Sequence, residues 1–199
     1  MNRQGDYIET YTGIKFYPLD PRLDEICIED IAHSLSLQCR FNGHCDIFYS
    51  VAEHSVRCLH EFRKLAGIHN ANPHILMRVL LHDSAESFLC DIPRPLKPYL
   101  KGYDAAENLL LGVIYEKFGI NVFSHSEAPL FESKIDPDDL LKEVDLILLA
   151  TEALSLGMNV SEWNLPFPPL KEQIIPWTSR KSEDAFLSHF KTLQELINV

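Results

Sequence analysis

Positive charge is scarce in this sequence. Eighteen Lys and Arg stand against twenty-nine Asp and Glu, leaving a net charge of −11. General nucleic-acid binders and basic membrane-surface proteins both need a positive field, so the balance argues against each. A small anionic ligand stays open, because a metal and a few local Arg or Lys can reverse the sign inside one pocket. Long apolar runs are missing too: the longest, such as Leu109–Tyr115, fall far below the ~18 residues of a membrane span. The five cysteines (Cys27, Cys39, Cys45, Cys58, Cys90) include no C-x-x-C pair, their number is odd, and no basic-then-apolar leader opens the chain. Reduced thiols in a cytoplasm are therefore expected, in place of a secreted disulfide framework. Repeats, low-complexity tracts and convincing linkers are lacking, so residues 1–199 read as one domain.

What is present is helical periodicity in a composition of 46% hydrophobic and 24% charged residues. Thr10–Pro21 mixes aromatics with Gly and Pro and predicts a short irregular segment, turns or a small hairpin. Ile31, Leu35 and Cys39 predict a first helix from about Glu29 to Arg40, broken by Asn42-Gly43. Ser50 caps a second helix with Glu53 as capping-box partner, and Val51, His54, Cys58 and Phe62 recur in phase. Asn72-Pro73 opens a third, read as continuous from His74 to Leu89, and Pro93, Pro95 and Pro98 keep the next stretch out of helix. Tyr103–Phe118 is apolar nearly all round and predicts a central, buried helix. Asp136-Pro137 starts a helix through Leu141, Val144, Leu148 and Leu154 to Gly157, and after a proline-rich loop a last helix carries Phe186, Phe190 and Leu193. Strand-like alternation is scarce. The fold class is all-α, a compact helical bundle.

The informative residues are polar ones in apolar positions. Asp145 lies four after Leu141 and three before Leu148, on the buried stripe, where an unpaired carboxylate costs several kcal/mol. Asp83 lies four after Val79 with His82 beside it, and His54 falls between Val51 and Cys58. Taken singly, His54 reads more simply as a hydrogen-bonded core histidine, and Asp145 could pair with an arginine. His82-Asp83 is an unremarkable dipeptide in a chain with nine His. The combination shifts the balance: His54, His82-Asp83 twenty-eight residues on and Asp145 sixty-two beyond, each on a helix, form a credible first shell for Zn, Co, Mn or Fe. Glu86, four after His82, and Asp91 just past the helix end could serve hydrolysis by moving protons, or could be a solvated helix residue and a turn residue.

These residues resemble the H…HD…D pattern of the HD-domain metal-dependent phosphohydrolases. Leu80-Leu81-His82-Asp83-Ser84-Ala85-Glu86 through Asp91-Ile92-Pro93 is similar to the small HD nucleotidases that include bacterial 5′-deoxynucleotidases. Phe16–Pro21, Ile28–Ala32 and Tyr49–Ser55 are similar to bacterial and phage members of this length, some of them dATP triphosphohydrolases. The resemblance covers Thr10 to Leu154 and implies an HD-type helical fold. It implies a divalent metal (Zn, Co or Mn) on His54, His82, Asp83 and Asp145, with Glu86 and Asp91 handling water and leaving oxygen. Arg40 would contact phosphate and Phe41 the nucleoside, although Phe41 could equally be a core aromatic. Lys97 is a further candidate phosphate contact, or a solvated loop lysine; His44 and Arg78 are weaker ones. The implied activity is removal of triphosphate from dATP, with dNMP hydrolysis to deoxynucleoside and phosphate as the alternative. Extra Mg or Mn is expected with a triphosphate, and a homodimer or assembly of dimers in a bacterial or phage-infected cytoplasm is the expected setting. HD proteins that cleave alarmones or cyclic dinucleotides, and a non-enzymatic helical binding protein, are the competing classes.

Overall fold

The computed structural model describes residues 3–67, 72–120 and 136–198. Seven helices account for most of them: α1 Ile28–Leu37, α2 Val51–Ala66, α3 Pro73–Leu80, α4 Glu86–Leu89, α5 Tyr103–Lys117, α6 Pro137–Ser155 and α7 Ser179–Ile197. The fold is all-α. The N-terminal segment forms a two-residue-per-strand antiparallel hairpin, β1 Ile8–Glu9 against β2 Lys15–Phe16, in the register Ile8↔Phe16 and Glu9↔Lys15. No helix among the described residues is long and apolar enough to cross a membrane.

Side chains at the helix starts satisfy backbone N–H groups that have no partner within the helix. Ser50 Oγ accepts from Glu53 N at 3.1 Å, Asn72 Oδ1 from His74 N at 2.9 Å and Asp136 Oδ1 from Asp138 N at 2.8 Å. The capping box expected at Ser50 is half formed. Instead of turning back, the Glu53 carboxylate accepts from Arg57 Nη2 at 2.7 Å and from the Trp177 backbone N–H at 2.7 Å. Those bonds fasten the chain just before α7 to α2.

α2 is the spine, with Val51, Ala52, Val56, Cys58, Leu59 and Phe62 all fully buried. It packs against α3 and α6, while α7 lies across α1, α2 and α3. Phe186 and Leu193 of α7 are fully buried, so the last helix closes the core.

Three expectations are corrected. The third helix does not continue from His74 to Leu89. α3 stops at Leu80, a run of turns covers residues 81–85, and α4 restarts at Glu86. Local side chains take the carbonyls that the helix would use: His82 Nδ1 bonds Val79 O at 2.8 Å and Ser84 Oγ donates to Leu81 O at 2.6 Å. Nor does the first helix reach Arg40. It ends at Leu37, and Cys39 forms an isolated bridge to Ser50. Finally, α5 is peripheral. Leu110, Ile114 and Tyr115 are buried but Leu109 is 53% exposed. An apolar surface all round a helix is therefore only partly used for packing here.

The segment between α1 and α2 is closed at its neck by Arg40 N–H to Tyr49 O at 2.9 Å and Val51 N–H to Gln38 O at 3.2 Å. Its tip is joined to the end of α6, where Asp46 N–H donates to Leu156 O at 3.1 Å. The next residue, Gly157, has φ +85°, and a β-carbon there would run into the Asp46 carboxylate.

Candidate metal centre

Three stretches of chain meet at His54. It sits on the core face of α2 with no exposed surface. Its Nδ1 hydrogen-bonds Glu152 Oε1 of α6 at 2.7 Å, and because a carboxylate only accepts, the ring hydrogen sits on Nδ1. Nε2 is left facing Asp145 Oδ1 at 3.2 Å and Asp83 Oδ2 at 3.5 Å.

His82 repeats the arrangement. Its Nδ1 donates to Val79 O, so the break after α3 both ends the helix and fixes this ring. Its Nε2 is buried and faces Asp83 Oδ2 at 3.2 Å. A pinned Nδ1–H with an open, inward Nε2 is the arrangement of a metal-binding imidazole. The two rings stand 5.4 Å apart between centroids.

Cys58, one turn after His54, places Sγ 3.4 Å from His54 Nε2. One ligand atom from each of His54, Cys58, His82 and Asp145 can be chosen so that all lie within 4.8 Å of one another. Two nitrogens, a carboxylate oxygen and a sulfur suit a divalent transition ion. Asp83 lies outside that group of four yet within 3.5 Å of both imidazole Nε2 atoms. All four expected metal ligands are thus brought together, and Cys58 joins them.

The charges around the cluster also favour a cation. Burial and the neighbouring Arg40 both oppose a proton on His54, yet Cys58, Glu152 and Asp145 hold its pKa well above the ordinary histidine range. His82 is raised likewise, with burial opposing and Asp83 supporting the proton. Burial also works against the Asp83, Asp145 and Glu152 carboxylates. The His82 and His54 rings and Arg40 outweigh it and hold Asp83 below its usual range, while His54 and Arg40 do the same for Asp145 and Glu152. A divalent ion at the same place would replace those protons.

Around the cluster the other expected residues are placed as follows. Arg40 is buried, with Nε 3.1 Å from Glu152 Oε2 and Nη1 3.7 Å from Asp83 Oδ2. Phe41, at φ 57°, starts a left-handed turn with Asn42 at φ 52°. That strained pair, of order 1–3 kcal/mol per residue, sets the Phe41 ring 5.6 Å from the Arg40 guanidinium and 6.5 Å from Trp163. Glu86 is buried, and its Oε2 has no hydrogen-bond partner among the described residues. Burial, then Asp83 and Asp91, push its pKa up to about 9. Asp91 is raised chiefly by burial, with Arg40 opposing. Lys97 is spoken for by two carboxylates, Glu86 Oε1 at 3.4 Å and Glu107 Oε1 at 3.0 Å. Arg78 pairs with Asp138 at 2.8 Å, and His44 is exposed.

Sequence reasoning missed Glu152, Tyr49 and the place of Cys58 in the cluster. Glu152 is fully buried and takes hydrogen bonds from His54 Nδ1 and from Tyr49 Oη, the latter at 2.8 Å. The available signal was an acid seven residues after Asp145 and four after Leu148, in the same apolar stripe. Cys58 was read only as an apolar residue in phase.

The fold and the cluster define an all-helical protein with a buried, metal-competent centre. No family model matches the chain. It is 35% identical over 194 residues to the uncharacterized protein YfdR of Escherichia coli K12, covering 96% of this chain and 97% of that protein. It is also 39% identical over 116 residues to the uncharacterized protein RCAP_rcc00048 of Rhodobacter capsulatus, covering 55% of this chain and 56% of that one. The chain belongs to the YfdR family.

Proposed function

We propose that this protein is a divalent-metal-dependent phosphohydrolase of the HD type acting on deoxynucleotides, with dATP as its substrate. The observation that carries the proposal is the convergence of two Nε2 atoms and two carboxylates, from buried His54 and from His82, Asp83 and the part-exposed Asp145, onto one point. Those side chains would hold the metal. When bound, it supplies Lewis-acid polarisation of a phosphoryl oxygen and an acidified water at neutral pH.

The remaining work falls to the side chains. Arg40 is oriented by Glu152 and Asp83 before substrate arrives, so its charge is placed in advance for a phosphoryl oxygen. Glu86 and Asp91 divide the proton traffic, one taking a proton from the attacking water and the other returning one to the leaving oxygen. Phe41 offers a ring face to the nucleobase beside that arginine. Two copies of the chain pairing in solution belong to the same proposal, and light scattering reads their number.

A second reading, hydrolysis of a dNMP, is favoured by one observation. Both cations next to the cluster, Arg40 and Lys97, already face carboxylates. A triphosphate must therefore bring its own Mg or Mn, whereas a monophosphate needs less compensation.

The test is a panel of four dNMPs and four dNTPs with Mn, Co, Zn or Mg, with products separated as phosphate, pyrophosphate and triphosphate. Triphosphate released from dATP supports the first reading, and orthophosphate from a dNMP selects the second. Protein that retains no metal, or releases nothing from any of the eight, defeats both. Asp83→Ala is expected to abolish turnover while leaving the helical circular-dichroism spectrum in place.

A further inference from the structure

Cys58 is the residue of the cluster that the H…HD…D pattern does not ask for. It sits on the same face of α2 as His54, one turn on, so both side chains project to the same point. It is free, fully buried, and its sulfur lies 3.4 Å from the nitrogen that faces Asp145 at 3.2 Å. Ligands at 2.0–2.3 Å around a tetrahedral ion stand roughly 3.3–3.8 Å apart. The sulfur–nitrogen separation of 3.4 Å falls inside that range and the nitrogen–oxygen separation of 3.2 Å just below it. His82 adds its Nε2 to the same group, pinned through Nδ1 on Val79 O and 3.2 Å from Asp83 Oδ2.

We propose that Cys58 is a ligand of the metal, bound through its sulfur beside His54, His82 and Asp145, and that it makes the centre select zinc-like ions over manganese and magnesium. The inference rests on the metal reading above and deepens it. As the sulfur–metal bond forms, the thiol hydrogen leaves as a proton to solvent and no oxidation state changes. Imidazole and carboxylate ligands already place zinc and cobalt above manganese in the general order of divalent affinities, and a thiolate widens that gap. A thiolate is soft and strongly disfavours the hard ions. Asp83, 3.5 Å from His54 Nε2, then stands at the edge of the group, free to meet a fifth position or to hold Arg40 at 3.7 Å. The alternative is a cysteine acting as a small apolar core residue under the site.

Cobalt(II) separates these cases, because sulfur bonded to it gives an intense near-ultraviolet charge-transfer band that nitrogen and oxygen ligands lack. The full-length protein is stripped with chelator, loaded with cobalt(II), and compared with Cys58→Val, which keeps the apolar volume, and with Cys58→Ser. The wild type is expected to show both the visible cobalt bands and the charge-transfer band. Cys58→Val should keep the visible bands, lose the charge-transfer band and narrow the preference for zinc over manganese in competition. If either variant fails to fold, X-ray absorption on zinc-loaded wild type decides, with a Zn–S shell near ~2.3 Å expected. Visible bands without charge transfer, or a zinc shell of nitrogen and oxygen alone, overturn the role of Cys58 and leave the metal reading standing. Failure of the wild type to retain cobalt or zinc overturns that reading, and this inference with it.

Discussion

Glu152 reaches no solvent, yet three residues of the site depend on it: it holds the His54 ring, takes the Tyr49 hydroxyl hydrogen and faces Arg40. Removing the carboxylate strands all three donors in the core. Glu152→Ala is therefore expected to lower the free energy of unfolding by about 3–5 kcal/mol in urea melts. Glu152→Gln keeps the shape but offers His54 a weaker acceptor, and metal affinity should fall about 10- to 100-fold in chelator competition. Glu86 behaves differently. Burial, Asp83 and Asp91 push its pKa up to about 9, so its site favours the uncharged carboxyl and Glu86→Gln supplies an uncharged group of the same shape. Its melting temperature should stay close to wild type while turnover of the preferred nucleotide collapses. A large loss of stability in that variant would show that Glu86 is a structural carboxylate.

Elements differ in how legible they are from sequence. α2 and α6 could be read because a cap precedes an apolar phase, with a proline added in α6, and α7 from apolar phase after a proline-rich loop; Ser50→Ala should cost about 1 kcal/mol through the lost bond to Glu53 N–H. The break after α3 was hidden because Leu80 through Leu89 keeps helical phase, while the decision lies with His82 and Ser84, whose side chains compete for carbonyls. That stretch carries His82 and Asp83 of the candidate metal cluster, so the pattern failed next to the candidate site. α2 and α7 also meet through His60 and His189, whose Nε2 atoms are 3.1 Å apart. Burial lowers the pKa of both rings; the opposing ring and Arg63 add to it for His60, and Arg63 does for His189. Each native ring therefore binds a proton less readily than it does unfolded. Their stabilisation is complete above the unfolded pKa near 6.5 and declines as pH falls through that value towards the lowered native one. Thermal melts from pH 8 to pH 5 should show that decline, and His189→Gln should flatten it.

For the molecule as a whole, an ion that binds only the folded chain must stabilise it. Zinc at a hundred times its dissociation constant should add about 2.7 kcal/mol, read as a rise in melting temperature that chelator reverses. An unchanged melting curve would mean that the cluster holds no ion. His54, His82, Asp83 and Asp145 drew notice as imidazoles and carboxylates in apolar phases, and the resemblance to the H…HD…D pattern joined them into one candidate ligand set. Glu152 and Cys58 drew none, since one supports another side chain and the other passes for a core residue. Next to Gly157 the tip of the segment bearing Arg40 is tied, through Asp46 N–H to Leu156 O, to the end of the helix bearing Asp145 and Glu152, and a β-carbon on Gly157 would push the Asp46 carboxylate aside. The arginine and the candidate cation cluster therefore share one mechanical joint. Gly157→Ala, with a positive-φ penalty of about 1–2 kcal/mol, should slacken both together, raising KM for the nucleotide and weakening metal retention in the same variant although no ligand has been touched.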